Sequence, residues 1–365
     1  MASTKISSLE ELHAFLYRAL QLEHATIPPY LTALYSIKPG TNPDASQILR
    51  VIAVEEMLHL TIAANLMNAV GGKVDLTQYG FSPDYPAYLP DGETDFQVGL
   101  APFSPDALQT FLKIERPKMA SSDSQKLLRN AHSPQAFVLG THPDPAFRFY
   151  SIGEFYAAIE QGLKDLEAAA KAKGGTIFTG DPKFQVGPDY FYSGGGKLWP
   201  IHTLDDACRA IELVIEQGEG VTDKIHGEGG EIAHYYRFEQ LSLQRYYQPD
   251  DKVPGEPTGP RFQIDWDAIY PVQIDLKLDQ IPAGSALQQT AAAFNDKYRG
   301  FLDLLTQAFS GQPQLLLEAV PRMFEFRNLI WELVRNPLPG TDRYAGPTFE
   351  ISQSTLPAEA AHAAQ

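Results

Sequence analysis

The chain has 365 residues, of which 44% are hydrophobic and 20% charged, with a formal net charge of -16 and a pI near 5.0. That mix belongs to a soluble globule of one large or two ordinary domains, and an acidic balance with no basic run excludes a phosphate-binding surface for nucleic acid. No apolar run approaches the roughly 20 residues of a membrane span, the first residues are polar rather than those of a signal peptide, so a cytoplasmic protein is expected, and the single cysteine, Cys208, leaves no internal disulfide and no cysteine-based zinc cluster.

Ser7-Ser8-Leu9-Glu10 reads as a capping box opening the first helix, in which Leu9, Leu12, Leu16, Ala19, Leu20, Glu23 and Ile27 form one stripe. Glu23 therefore interrupts an apolar face. Pro28-Pro29 lack backbone donors, which predicts a kink or break just after Glu23. Pro39-Gly40-Thr41-Asn42-Pro43 is a turn, and a second helix is expected from about Asp44 to Val70, with Ile48, Ile52, Glu56, His59, Ala63 and Leu66 near one face and Gly71-Gly72 as its stop. Residues 73–199 change in texture, with frequent Pro, Gly and Tyr, short β-like runs at Phe96–Leu100 and Thr176–Phe178, and helix candidates at Ser104–Ile114 and Ile152–Ala172. This region is expected to be an α+β insertion lining a site.

Thr203 is a good N-cap for a third helix, with Leu204, Cys208, Ile211, Ile215 and Glu219 on one stripe, which places Cys208 in the core as an inert residue. A fourth helix is expected from about Glu228 to Tyr247, followed by a Pro/Gly-rich linker over 249–260, a strand-like run Val272–Leu276 and two long amphipathic helices near Ser285–Phe309 and Pro313–Arg335. The domains then read as a discontinuous bundle of 1–72 plus 200–250, the insertion 73–199, and 251–365 packing on the bundle, with a tail from Asn336 that loses order toward its end.

Chemistry concentrates in Glu-x-x-His pairs. Glu10/His13 is accounted for by the helix start, whereas Glu56/His59 and Glu231/His234 fall in apolar helical segments, where three-residue spacing puts both side chains on one face. Each has a carboxylate on a neighbouring helix: Glu23 before the first pair and Glu219 before the second. Glu23 and Glu56 lie nearly equally far from Gly40, so an antiparallel hairpin turning there brings them to one height. The order Glu, Glu-x-x-His, Glu, Glu-x-x-His is the ligand pattern of carboxylate-bridged di-iron and di-manganese helix bundles, and hard oxygen donors with one imidazole per ion suit iron, with manganese an alternative. Four carboxylates buried without metal would cost several kcal/mol each in lost solvation. The expected metal ligands are therefore Glu23, Glu56, His59, Glu219, Glu231 and His234, with Glu56 and Glu231 bridging. Glu216 competes with Glu219, and Glu55 stands as a supporting neighbour of Glu56. His24, Tyr30, Tyr235 and Tyr236 read as packing residues, and Ser193–Lys197 as a loop without phosphate-loop spacing.

The runs Leu22-Glu23-His24-Ala25-Thr26-Ile27-Pro28-Pro29-Tyr30, Glu55-Glu56-Met57-Leu58-His59, Glu216-Gln217-Gly218-Glu219-Gly220, Glu231–Phe238 and Ala345–Glu350 together resemble the ferritin-like family that includes the iminophenyl-pyruvate dimer synthases of bisindole biosynthesis, the VioB/RebD type. The resemblance implies a mainly α fold, a ferritin-like four-helix bundle elaborated by the insertion and two C-terminal helices. It favours Glu219 over Glu216. It also implies a non-heme, di-iron oxidoreductase using O2 or peroxide on a small, amino-acid-derived substrate, with homo-oligomers compatible with the family. A ferritin-like iron-binding, oxidation or storage protein without an organic substrate is the alternative reading, against which the long 73–199 region stands.

Overall fold

Eight α-helices carry the part of the chain that the computed structural model describes, residues 5–92, 95–117, 149–191, 196–220, 224–227 and 230–351. They are α1 (Leu9–Ser36), α2 (Pro43–Ala69), α3 (Pro105–Ile114), α4 (Ile152–Lys171), α5 (Leu204–Gly218), α6 (His234–Leu243), α7 (Ala286–Phe309) and α8 (Leu316–Val334). The expected tail over 352–365 and most of the 193–197 loop lie outside the described residues.

Helix α1 starts one residue later than its sequence signal: Ser8 is the N-cap, accepting from the Glu11 amide, while the Glu11 carboxylate accepts from the amide and hydroxyl of Ser7. The helix then runs unbroken through Pro28 and Pro29. A proline inside a helix removes a hydrogen bond to the carbonyl four residues earlier. Here the carbonyl of Ala25, left without Pro29 as donor, accepts from the Tyr85 hydroxyl at 2.8 Å. Every residue from Ala19 to Tyr30 is buried, so tertiary packing holds the helix together where local propensity would break it.

Helix α2 follows the tight turn at Gly40, with Pro43 at its first position, and packs antiparallel along α1. The other two sides of the bundle are α4 and α5: α1 packs on α2 and α4, and α5 packs on α2 and α4, closing a ring of four. The helix that completes the ring, α4, comes from the stretch expected to stand apart as an insertion. Ser151 caps it as the sequence signals, and Thr203 and Asp206 form the expected capping box of α5. Helix α6 lies across one end, against α2, α3 and α5. Helices α7 and α8 pair with each other and extend the same apolar core.

Several sequence expectations are corrected. The β-like runs form no sheet among the described residues: residues 96–100 contribute only the bridge Ala87–Val98, and Val272 only a bridge to Tyr344. The fold there is α with irregular connections rather than α+β. The buried face of α5 is Ala207, Ala210, Ile211, Val214, Gln217 and Gly218, rotated from the expected stripe, and Cys208 is only partly buried. Its thiol is nonetheless pushed up to about 11 by burial and the nearby Glu160, so it stays protonated. The fourth helix is much shorter than expected. His226 and Ile232 are joined by an antiparallel bridge, Gly230 has φ +79°, and the helix starts only at His234. Helical backbone cannot pass through that left-handed glycine.

Candidate metal centre

One residue of α1 and two of α2 begin the site. Glu23, Glu56 and His59 are all buried, with His59 Nδ1 3.6 Å from Glu23 and 3.8 Å from Glu56. Glu56 also faces His234, the first residue of α6, with its other oxygen 2.8 Å from His234 Nδ1. A third carboxylate, Glu115, caps the C-terminus of α3 and lies 3.7 Å from the same nitrogen. Two sets of donors result, Glu23/Glu56/His59 and Glu56/Glu115/His234, each with ligand atoms mutually within 4.8 Å. Glu56 belongs to both. The two imidazole rings lie 5.4 Å apart between centroids, with their planes inclined by 28°.

Hydrogen bonds fix how each donor points. The Nε2 atom of His59 lies 2.9 Å from the Gln217 side-chain oxygen, and Nε2 of His234 lies 2.9 Å from Glu55. Both partners can only accept at those atoms, so each Nε2 carries the proton in the neutral ring and each Nδ1 presents its lone pair to the cluster. The Nδ1 of His234 is buried without a hydrogen-bond partner; its approach to Glu56 is close but lacks hydrogen-bond geometry. A buried, unpaired ring nitrogen surrounded by carboxylate oxygens fits a cation. Tyrosine and threonine hydroxyls orient the acids: Tyr156 donates to Glu23 at 2.5 Å, Tyr30 to Glu115 at 2.6 Å, and Thr26 lies 3.0 Å from Glu56. Burial against these carboxylates raises both phenols well above their usual range, so they are hydrogen-bond donors at any working pH.

Electrostatics without metal show the same demand for positive charge. Burial pushes Glu23 up to about 7 against the pull of His59. Burial also opposes ionisation of Glu56, but the two imidazoles outweigh it and hold Glu56 below the carboxylate range. His59 is pushed up to about 10, with Glu23 and Glu56 outweighing its burial, and His234 is raised by Glu115, Glu55 and Glu56. In the absence of metal the protons on these rings do what a cation would do.

Glu219 and Glu231 do not join the cluster. Glu219 is buried, but its carboxylate accepts from the Gly153 amide in the first turn of α4, where the helix dipole favours a negative charge. Glu231 is exposed in the turn before α6, because its three-residue spacing to His234 is not helical. The structure groups neither Glu219 nor Glu231 with Glu56, and Glu115 is the further carboxylate that faces His234. Glu216 lines a neighbouring cavity, with its carboxylate against Gly227. Sequence reasoning missed Glu115 and Gln217. Both carried a signal, since Leu108, Phe111 and Glu115 share a stripe, and Gln217 follows Ala210, Ile211 and Val214 on the buried face of α5.

The cavity of about 520 Å³ beside the cluster is lined by Gln217 and Arg237 together with Trp199, Leu213, Ala233 and Lys197. Gln217 touches His59, and Arg237 donates to Glu55 at 2.8 Å. The cavity thus abuts the residues that hold both imidazoles from behind. His24, beside Glu23 in sequence, points elsewhere: its Nε2 pairs with the Tyr298 hydroxyl at 2.5 Å, and it packs against Phe81. Tyr235 and Tyr236 belong to a small satellite core with Ile225 and Tyr247.

A family model described as Ferritin-like matches residues 16–243, which contain every residue of the cluster. The chain belongs to the ferritin-like family. Among solved structures, a ferritin-like protein from Caulobacter vibrioides, a crystal structure at 1.95 Å resolution, is 21% identical with a TM-score of 0.61, over 95% of this chain and 100% of that one. At that identity the likeness shows the fold. No curated protein matches. In this ferritin-like chain the bundle supplies Glu23, Glu56 and His59, while Glu115 and His234 reach the cluster from α3 and α6 at its end. Among the described residues no helix is long and apolar enough to cross a membrane.

Proposed function

We propose that the protein is a metal-dependent oxidoreductase with two iron ions, one held by Glu23, Glu56 and His59 and the other by Glu56, Glu115 and His234, and that it uses O2 or peroxide on a small organic substrate. The observation that carries this reading is the sharing of Glu56 between two carboxylate–imidazole sets whose lone pairs converge. Bound iron would supply one-electron redox change and a position open to oxygen. Everything else is the work of the chain. Burial of all five donors excludes bulk water, Tyr30 and Tyr156 hold the terminal carboxylates in place, and Gln217 and Glu55 keep the protons of His59 and His234 on Nε2.

The cavity favours an organic substrate over iron storage. Its wall combines apolar Trp199, Leu213, Ile232 and Ala233 with polar and charged Gln217, Arg237, Lys197, Glu216 and Glu231, a mixed lining that can hold a small polar molecule. An amino-acid-derived substrate is the specific form suggested by the resemblance to the iminophenyl-pyruvate dimer synthases. The test is anaerobic reconstitution with Fe(II), elemental analysis for iron and manganese, and absorption spectra before and after O2 is admitted. Retained iron whose spectrum changes on oxidation supports the reading. Protein that retains no iron, or iron that is inert to both O2 and peroxide, would sink it.

A further inference from the structure

The two donor sets are alike in composition, each with two carboxylates and one imidazole. They differ in what stands behind the imidazole. His59 Nε2 faces the neutral amide oxygen of Gln217, whereas His234 Nε2 faces the carboxylate of Glu55. A carboxylate draws the ring proton toward itself and makes the opposite nitrogen a stronger donor, and such outer partners change metal affinity by about 10- to 100-fold. An amide acceptor has the same geometry with no net charge.

Arg237 could cancel this difference, because its guanidinium reaches the same Glu55 oxygen at 2.8 Å. Two facts decide against cancellation. The Glu55–His234 contact is sealed, with side-chain exposures of 1% and 0%, so its local dielectric is low and the interaction strong. Arg237 is 13% exposed and lines the cavities on either side of it, so part of its charge is screened by water. Its main effect is to hold Glu55 in place, one fixed oxygen shared between guanidinium and imidazole.

We propose that Glu55 and Gln217 are positioning residues that make the two metal positions inequivalent, so that the Glu56/Glu115/His234 position fills with a divalent ion before the Glu23/Glu56/His59 position. The proposal rests on the dinuclear reading above. Loading is then ordered by the outer partners, since the groups that touch the ions are matched.

The experiment titrates the full-length protein anaerobically with Co(II), following the visible absorption of the bound ion and the heat of binding. Wild type should bind in two resolved steps separated by about 10-fold or more in Kd. Glu115→Gln should remove the tighter step and Glu23→Gln the weaker, which assigns them. Glu55→Gln should weaken the tighter step by about 10- to 100-fold and alter its spectrum while leaving the other unchanged. Gln217→Glu should strengthen the weaker step by about 10-fold, a gain that a poorly folded variant cannot mimic. A single unresolved two-ion step in wild type, or outer-partner variants that shift both steps together, overturns the ordered loading while leaving a dinuclear centre standing. Failure to bind any Co(II) overturns both.

Discussion

Glu56→Gln is the substitution with the largest expected consequence, because one side chain serves both donor sets. Its oxygens divide the work: one lies 2.8 Å from His234 Nδ1, the other 3.8 Å from His59 Nδ1. Glutamine keeps the shape and removes the charge. Taking one member from a buried charged cluster costs about 3–5 kcal/mol, and at about 1.4 kcal/mol per tenfold this weakens binding by about 10²- to 10³-fold or more. For Glu56 the loss applies at both positions, so no ion should survive desalting. Glu23→Gln and Glu115→Gln each affect one set and should leave about one ion per chain. Glu231→Gln, at an exposed side chain outside the cluster, should leave about two. The assay is anaerobic Fe(II) loading, passage over a chelating column and measurement of iron per chain. Retention of two ions by Glu56→Gln, or loss of iron in Glu231→Gln, would refute the shared-ligand geometry.

Two further predictions concern the scaffold. A Cβ on Gly153 would sit 2.5 Å from the Glu219 carboxylate, so Gly153→Ala should displace that acid from the start of α4 and lower stability by about 1–3 kcal/mol; equal unfolding midpoints for variant and wild type would show that Glu219 is not an anchor. His24 is held down to about 3 by burial, below its usual value near 6.5, so the unfolded chain binds the proton first and stability is lost as pH falls below about 6.5 toward 3. At pH 5 this amounts to about 2 kcal/mol, so the stability gap between wild type and His24→Gln, followed by denaturant titration, should narrow by that amount between pH 7 and pH 5. Parallel pH profiles would remove His24 as the cause.

What the sequence made legible follows from helical periodicity. Glu23, Glu56 and His59 sit in long helices where a polar residue on an apolar stripe stands out, and the turn at Gly40 sets their register. His234 is buried as the first residue of α6, whereas Glu231, read as its helical partner, falls between the left-handed Gly230 and the start of that helix. Glu219 is buried although the buried face of α5 is rotated from the stripe on which the sequence placed it, and burial alone does not say which group it faces; a neighbouring helix start claimed it. Glu115 escaped notice because α3 is short and lies in a region with no repeated motif. Pro28-Pro29 pointed to a break that packing overrides, with Tyr85 supplying a donor from far along the chain. The choice of partner across long sequence separations was in each case the part that local pattern does not encode.

The two halves of the centre also differ in how early a folding chain can assemble them. Glu23, Glu56 and His59 come from a single α1–α2 hairpin, whose closure requires only a short loop. Glu115 and His234 must be brought in across much longer stretches, with a correspondingly larger entropic cost and slower formation. An ion captured during synthesis would thus meet the hairpin half first, although the proposed final preference lies with the other half. Among the described residues Glu56 is the donor common to both sets, so it is in place in the early hairpin before either of its later partners, Glu115 and His234, arrives.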